Sequence, residues 1–445
     1  MYSLVKEIGE RTSAVTVRVM NFRTLALLLV FMGCPKSAPP VDVAAPPPDA
    51  GLTEAQLIAP KVDAIEKEVS EVVRAVDESL WKHWTTGVPL DLAAASRGHD
   101  ALFSKQSLTT LRRARELNAG DEKRLSNLEH WLSGELLARG VAAESEALAN
   151  LEASTTFTVD GKEMPWRDLN KLLLNEKSAV KRRALWNASH DAALRLDAAI
   201  VRRDEKVKEV LASLELPAPL DFAAETRDLD LDALRKSADD VLTRTEEEWK
   251  TTLQVLSDDT VKLPLTVAPA PNDVRVSVKP VGGLRDQESV LGELGAALTL
   301  RVEKPTSFAI DRLGKSTDAL RASELFASLL SEDQWLSANE VNERPQVIAA
   351  MKAQRLFQLR RAAGSVLAKL ETQALSDEKA ARAKFVAITS RATGIPMTEV
   401  EGARWRVETD DFLRSATRLQ ALLGAEEWRV KLGEGWWLKP LNPSP

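Results

Sequence analysis

The chain has 445 residues, of which 44% are hydrophobic and 28% are charged, a balance typical of a soluble globular protein and not of a polytopic membrane protein. The 60 lysines and arginines and the 66 aspartates and glutamates leave a net charge of −6, which gives no basic field for binding nucleic acid. Glycine and tyrosine are scarce, which favours helix throughout. The length allows two or three average domains or one large helical body.

The first 33 residues have the layout of a bacterial signal peptide. Thr24–Met32 is an apolar run too short to span a bilayer. Cys34, the single cysteine of the chain, follows it and resembles the lipobox cysteine of bacterial lipoproteins, which is acylated and becomes the mature N-terminus. We expect translation to start at Met20. The expected location is the cell envelope, at the periplasmic face of a bacterial membrane, with the outer membrane as the first expectation. An ordinary cleaved signal and the start of a buried helix are the alternatives.

A proline-rich segment separates this signal from the rest of the chain. Pro35–Gly51 contains six prolines and cannot form a helix or a packed core, so residues 34–51 are predicted to be an extended tether. A lipid-modified cysteine, a tether and a globular body would follow one another in this order in a lipoprotein, which supports the lipobox interpretation of Cys34. Residues 52–445 are then predicted to be a single domain with two lobes that meet around residues 214–285.

The first part of this domain shows helical periodicity. Hydrophobic residues recur every three or four positions up to a break at Gly87, and they are Ile58, Val62, Ile65, Val69, Val72, Val76, Leu80 and Trp84. Further helices are predicted over Leu90–Leu117, from an Asp121 N-cap to about Leu151, and from Pro165 to Leu214 with a break near Asn175. Asp160-Gly161 indicates a hairpin or loop within Thr155–Lys162.

The second part is also predicted to be mainly helical. Leu263–Pro280 alternates valines and contains four prolines, and it is the best strand candidate in the chain. Helices are predicted over Asp228–Ser257, around Leu291–Leu300, over Thr317–Leu336, from Pro345 to Gln373, over Ser376–Arg391, and through Leu423 after an N-cap at Thr409–Asp411. The predicted fold class is therefore all-α, with a minor β element near residues 263–280 and a central cleft.

The helix at Leu291–Leu300 reads L-G-E-L-G-A-A-L-T-L. With histidine at positions 292 and 296 it would read H-E-L-G-H, in which two imidazoles on one helix face bind zinc and the glutamate between them activates water. Here those positions are Gly292 and Ala296, so Glu293 alone is left of the motif.

This degenerate motif and several flanking segments resemble the all-helical zinc oligopeptidases, the group containing oligoendopeptidase F, thimet oligopeptidase and angiotensin-converting enzyme. The resemblance extends roughly from Leu52 to Pro440. The flanking segments that carry it are Leu80–Gly87, Arg182–Ala188, Asp273–Asp286, Ser323–Leu330 with Asp333–Leu336, Asp411–Ala425 and Gly433–Pro440.

Departures from the family pattern argue against its chemistry. The resemblance places the third zinc ligand, a glutamate, at Leu320 or Arg321, and the nearest acid is Glu324. The tyrosine and histidine donors of the family are also missing, because the single tyrosine is Tyr2 and the four histidines lie in the N-terminal half. We therefore expect no metal, no cofactor and no catalysis, and interpret Glu293 as a relic; a plain exposed glutamate is the alternative.

Three functions remain open from the sequence. The first is an inactive, peptidase-like lipoprotein that binds a peptide or an envelope protein in a cleft lined by Arg321, Glu324, Trp436 and Trp437, with no nucleic-acid partner. The second is a helical scaffold or assembly lipoprotein with a closed cleft. An open cleft at Gly292 favours the first, and a filled one favours the second. The third is a metal-free hydrolase, which a lone carboxylate makes improbable.

Overall fold

A computed structural model describes residues 52–252, 265–270, 273–277, 284–301, 305–409 and 412–438. The predicted signal peptide, the start at Met20, the acylated Cys34 and the tether lie outside the described residues. So do Asp410 and Asp411 of the predicted N-cap.

The described residues form a mainly helical protein, which confirms the predicted all-α class. The helices are α1 Glu54–Thr86, α2 Leu92–Ala95, α3 Lys105–Glu116, α4 Glu122–Gly140, α5 Ala142–Ser154, α6 Leu169–Asn175, α7 Ala179–Ala188, α8 His190–Ser213, α9 Pro219–Glu225, α10 Leu231–Arg244, α11 Glu246–Thr252, α12 Leu284–Leu300, α13 Phe308–Asp311, α14 Ser316–Ala327, α15 Asp333–Ala338, α16 Arg344–Gln373, α17 Glu378–Thr393, α18 Trp405–Glu408 and α19 Arg414–Leu432. Short 3₁₀ segments lie at Trp166–Asp168, Leu313–Lys315, Ser328–Ser331, Glu401–Arg404 and Trp436–Leu438.

Local signals explain both ends of α1. The Thr53 amide donates to the Gln56 side chain at 2.8 Å, and the Gln56 amide donates back to the Thr53 hydroxyl at 3.3 Å, which is a capping box. At the other end Gly87 adopts a left-handed conformation with φ 75°, which glycine reaches without a steric penalty. The first five residues of the predicted hydrophobic stripe are buried against α3 and α4.

Two antiparallel hairpins supply the strands of the described residues. In the first, β1 Thr156–Val159 pairs with β2 Lys162–Pro165. Asp160 and Gly161 both have positive φ, as the predicted Asp-Gly turn requires. In the second, β3 Leu265–Ala270 pairs with β4 Asp273–Ser277 inside the predicted strand region.

Several predicted helices are divided in the structure. Leu90–Leu117 forms α2 and α3 instead of one helix, because the chain turns at Gly98, which has φ 85°. The helix predicted from Asp121 to Leu151 breaks at Val141 into α4 and α5. Thr317–Leu336 is interrupted by the 3₁₀ segment at Ser328–Ser331, and the last helix continues beyond Leu423 to Leu432.

The hydrophobic core is divided among several clusters. One cluster packs α1 against α3, α4 and α13, with Val62, Leu108 and Leu128 fully buried. Another packs α10, α16, α17 and α19 together around Val366 and Leu419. A third connects the ends of α4 and α8 to α9. None of the helices formed by the described residues is both long enough and apolar enough to cross a membrane.

Arg360 on α16 joins three helices inside the second of these clusters. It has no exposed surface, and its guanidinium donates five hydrogen bonds. The acceptors are the Ala392 carbonyl at 3.0 Å, the Leu242 carbonyl at 2.9 Å, the Thr245 hydroxyl at 2.8 Å, the Glu246 carboxylate at 2.8 Å and the Arg391 carbonyl at 2.6 Å. One buried side chain thereby satisfies carbonyls at the C-terminal ends of both α10 and α17, where the helix provides no donor.

Candidate functional site

Gly292 and Gly295 lie at a close crossing between α12 and α14. A Cβ atom on Gly292 would stand 2.8 Å from the Ser323 hydroxyl, and one on Gly295 would stand 2.5 Å from the Ala322 carbonyl oxygen. Both distances are shorter than ordinary contacts, so only glycine permits this approach. The two glycines therefore have a packing role, and the space at Gly292 is filled.

The positions that the resemblance assigns to zinc ligands do not face one another across this crossing. Ala296 does lie on the same face as Gly292 and packs against Ala319 of α14. However, Leu320 is 38% exposed, and Arg321 lies over the Trp428 ring at 5.0 Å, on the side of α19. On α14 it is Ala322 and Ser323 that lie directly against α12, at the two glycines.

Glu324 lies in a buried ion-pair cluster and not on a cleft wall. Its side chain is 5% exposed and forms an ion pair with Arg418 of α19. The Arg355 guanidinium donates to the Glu324 carbonyl at 3.0 Å and lies 4.0 Å from its carboxylate. Gln354, the neighbour of Arg355, donates a hydrogen bond to Glu288 of α12. Burial raises the pKa of Glu288, and it lowers the pKa of Arg355. Glu293 is half-buried one turn further along α12.

Trp436 is a core residue in the structure, although the sequence indicated a cleft wall. It is 1% exposed and packs edge-on against Phe326 at 5.3 Å between ring centroids. Trp437 packs edge-on against Trp436 and Trp335, at 6.0 and 6.2 Å. These rings close the C-terminal segment onto α14 and α19.

An open cleft of about 1890 Å³ lies on another side of α14. Of the residues predicted to line a cleft, Arg321 does so, while Glu324, Trp436 and Trp437 are not among its lining residues. Its lining residues come mainly from α4 and α19, and others come from α5, α8, α9, α14 and α16. The cleft draws on segments more than 200 residues apart, so no local sequence pattern indicates it.

Charges are distributed unequally among the helices that line the cleft. The α4 segment contributes more acids than bases, with Asp121, Glu122 and Glu135 beside Lys123. The helices α14, α16 and α19 contribute more bases, and these are Arg321, Arg361, Arg414 and Arg418 beside Glu427. We call these four arginines the basic wall.

Two titratable side chains on α4 have pKa values shifted by burial in the cleft. Burial lowers the pKa of His130. The charge of Arg115 also lowers it, and the nearby acids, Glu129 first among them, offset only part of the decrease. Burial raises the pKa of Glu135, and the Arg139 charge only partly offsets this. Both shifts favour the neutral form of the side chain.

Comparison with known proteins places the chain in no family: no family model matches it, and no curated protein matches it. Within the described ranges, no group of three or more His, Cys, Asp or Glu side chains is arranged to hold a metal ion.

Proposed function

We propose that the chain is a non-catalytic binding protein of the bacterial envelope that holds a peptide or a protein segment in the open cleft. The observation that carries this proposal is the cleft volume of about 1890 Å³. Small-molecule sites typically have volumes of roughly 300–1,000 Å³. A cavity larger than this range suits a stretch of polypeptide better than a metabolite.

The crossing of α12 and α14 supports the non-catalytic part of the proposal. A histidine at position 292 would collide with Ser323, and Ala296 has no ligand atom. Glu293 is the one residue of the zinc motif that the sequence retains, and activating water for peptide hydrolysis by that motif needs a metal ion as well. The envelope location rests on the signal sequence and Cys34.

A helical scaffold of the envelope is the second candidate, and the same crossing favours it. The space at Gly292, where the resemblance locates the ancestral cleft, is filled by α14. A scaffold would use its outer surface and leave the open cleft to solvent.

Peptide binding to the purified full chain separates these candidates. Fluorescent peptide pools of mixed composition are titrated by anisotropy, and the same pools are analysed for cleavage by mass spectrometry with and without added zinc. We expect binding without cleavage. Gly134→Trp is expected to weaken binding, because Gly134 lies on the α4 wall with no atom within 4 Å of its Cβ position. Arg202→Trp, an exposed position outside the cleft lining, is the matched control.

Each other outcome contradicts one part of the proposal. Zinc-dependent, chelator-sensitive cleavage would show an active peptidase. If neither the wild type nor Arg202→Trp binds any peptide, the scaffold is favoured. Equal binding by Gly134→Trp and Arg202→Trp would place the peptide outside the cleft.

A further inference from the structure

We propose that the occupant of the cleft is an acidic polypeptide segment, whose carboxylates bind to the basic wall. This inference rests on the proposed function, because it names the chemistry of the segment that the cleft holds. The observation that carries it is that Arg321, Arg361, Arg414 and Arg418 all line the same cleft.

Three of these arginines form one continuous group across two helices. Arg414 and Arg418 lie one turn apart on α19 and therefore share a face. Arg418 donates a hydrogen bond at 3.2 Å to the side chain of Gln358 on α16. Arg361 lies one turn beyond Gln358 on the same helix. The hydrogen bond thus joins the two helices within one turn of Arg361 and of Arg414.

Two members of the group are available to a ligand. Arg361 and Arg414 are both exposed, and within the described part of the chain neither forms an ion pair or a hydrogen bond. Many other surface arginines of this protein are paired; Arg113, for example, bonds Glu54 and Glu116. Two unpaired cations that face the same cleft favour an anionic ligand, since carboxylates and guanidinium groups form charge-assisted pairs.

The other two arginines of the basic wall, Arg418 and Arg321, are held in place by the protein. Arg418 is fixed by Gln358 and by the buried Glu324, although 42% of its side chain remains exposed. Arg321 lies so close to Gly424 that a Cβ there would collide with its Nε, and this Nε atom has no hydrogen-bond partner among the described residues. A guanidinium that is already oriented loses less entropy when it binds a carboxylate.

The acids that the α4 segment contributes to the same cleft determine which polyanion fits. A nucleic acid carries phosphates along its whole backbone and would bring some of them against Asp121 and Glu122. A polypeptide can carry its acids on one side only and place neutral or basic side chains toward α4. The asymmetry of the cleft therefore favours an acidic protein segment and also sets its orientation.

Three matched peptides test this inference on the full chain. They are fluorescent twelve-residue peptides that alternate alanine with glutamate, glutamine or lysine, titrated by anisotropy at low ionic strength. We expect the glutamate peptide to bind at least tenfold more tightly than the glutamine peptide and the lysine peptide to bind most weakly. The double variant Arg361→Glu/Arg414→Glu is expected to reduce binding of the glutamate peptide at least tenfold.

The control is Arg167→Glu/Arg202→Glu, which makes the same charge change at two exposed arginines outside the cleft lining. It is expected to change affinity less than threefold, and both double variants are expected to keep the wild-type Tm because all four side chains are exposed. An equal loss in both variants would refute the basic wall as the binding site, since the effect would then follow net charge alone.

The remaining outcomes separate this inference from the proposed function. Equal affinity for the glutamate and glutamine peptides, both weakened by Gly134→Trp, would overturn the acidic occupant and leave peptide binding in place. Displacement of the glutamate peptide by an oligouridylate at equal charge concentration would also overturn it, in favour of a general polyanion site. Binding of none of the three peptides would count against the inference and the proposed function together.

Discussion

Arg360→Met should destabilise the protein more than almost any other single substitution in α16. The substitution keeps an unbranched apolar side chain but removes the guanidinium and its five hydrogen bonds. Three backbone carbonyls at the ends of α10 and α17 would lose a donor, and no solvent reaches the position of the lost group, because Arg360 is fully buried.

The magnitude follows from the groups left without a partner. Each buried carbonyl that loses its donor costs about 1–3 kcal/mol, so the loss of all three should cost at least about 3 kcal/mol. Glu246 is 36% exposed and can be rehydrated, so the buried carbonyls account for most of the loss. For a chain of this size we expect Tm to fall by roughly 4–6 °C. Arg360→Lys should recover less than half, since a single ammonium cannot reach acceptors on both helices.

The assay is urea denaturation followed by circular dichroism, with Arg361→Met as the matched control. Arg361 is the next residue on the same helix, but it is exposed, so its change should stay within about 0.5 kcal/mol of wild type. The reasoning is refuted if Arg360→Met loses less than about 1 kcal/mol, or if the two variants lose equal amounts.

Two further predictions concern the α12–α14 crossing and Glu135 on α4. Gly295→Ala should lower the free energy of unfolding, measured by urea denaturation, by about 1–3 kcal/mol, because the added Cβ would meet the Ala322 carbonyl. The control Gly134→Ala adds a Cβ in open space and should be neutral or stabilising by up to ~1 kcal/mol, and equal effects of the two substitutions would contradict the packing role. Glu135→Gln should stabilise the protein at pH 7.5. The pKa of Glu135 is raised in the folded state, so its ionisation opposes folding as pH rises above 4.5, and the gain should shrink toward pH 4.5; a gain that does not depend on pH would contradict this.

Helix ends and turns could be predicted from the sequence where the residues that determine them are close neighbours in the chain. The end of α1 at Gly87, the Asp121 cap of α4 and the Asp160-Gly161 turn each depend on residues within three or four positions, and all are confirmed. The single helix predicted over Leu90–Leu117 was wrong because the periodicity continues across Gly98, while the backbone there turns into the left-handed region.

The candidate site was harder to predict because its contacts are distant in sequence. In the sequence, Gly292 is interpreted as the replacement of a zinc-binding histidine. Its packing role is visible only once Ser323 is known to lie against it. The same applies to the basic wall. Arg321, Arg361 and Arg414 look like ordinary solvated helix residues until three helices bring them to one cleft.

The α12–α14 crossing also restricts how this protein can change by mutation. A histidine at position 292 or a branched side chain at position 295 cannot be accepted while the helices keep their present distance. The two helices would have to separate first, at a cost in buried contacts around Phe326 and Leu300 that no single ligand-forming substitution repays. A metal-binding site between these helices is therefore several coordinated substitutions away, and each one alone would be removed by its loss of stability.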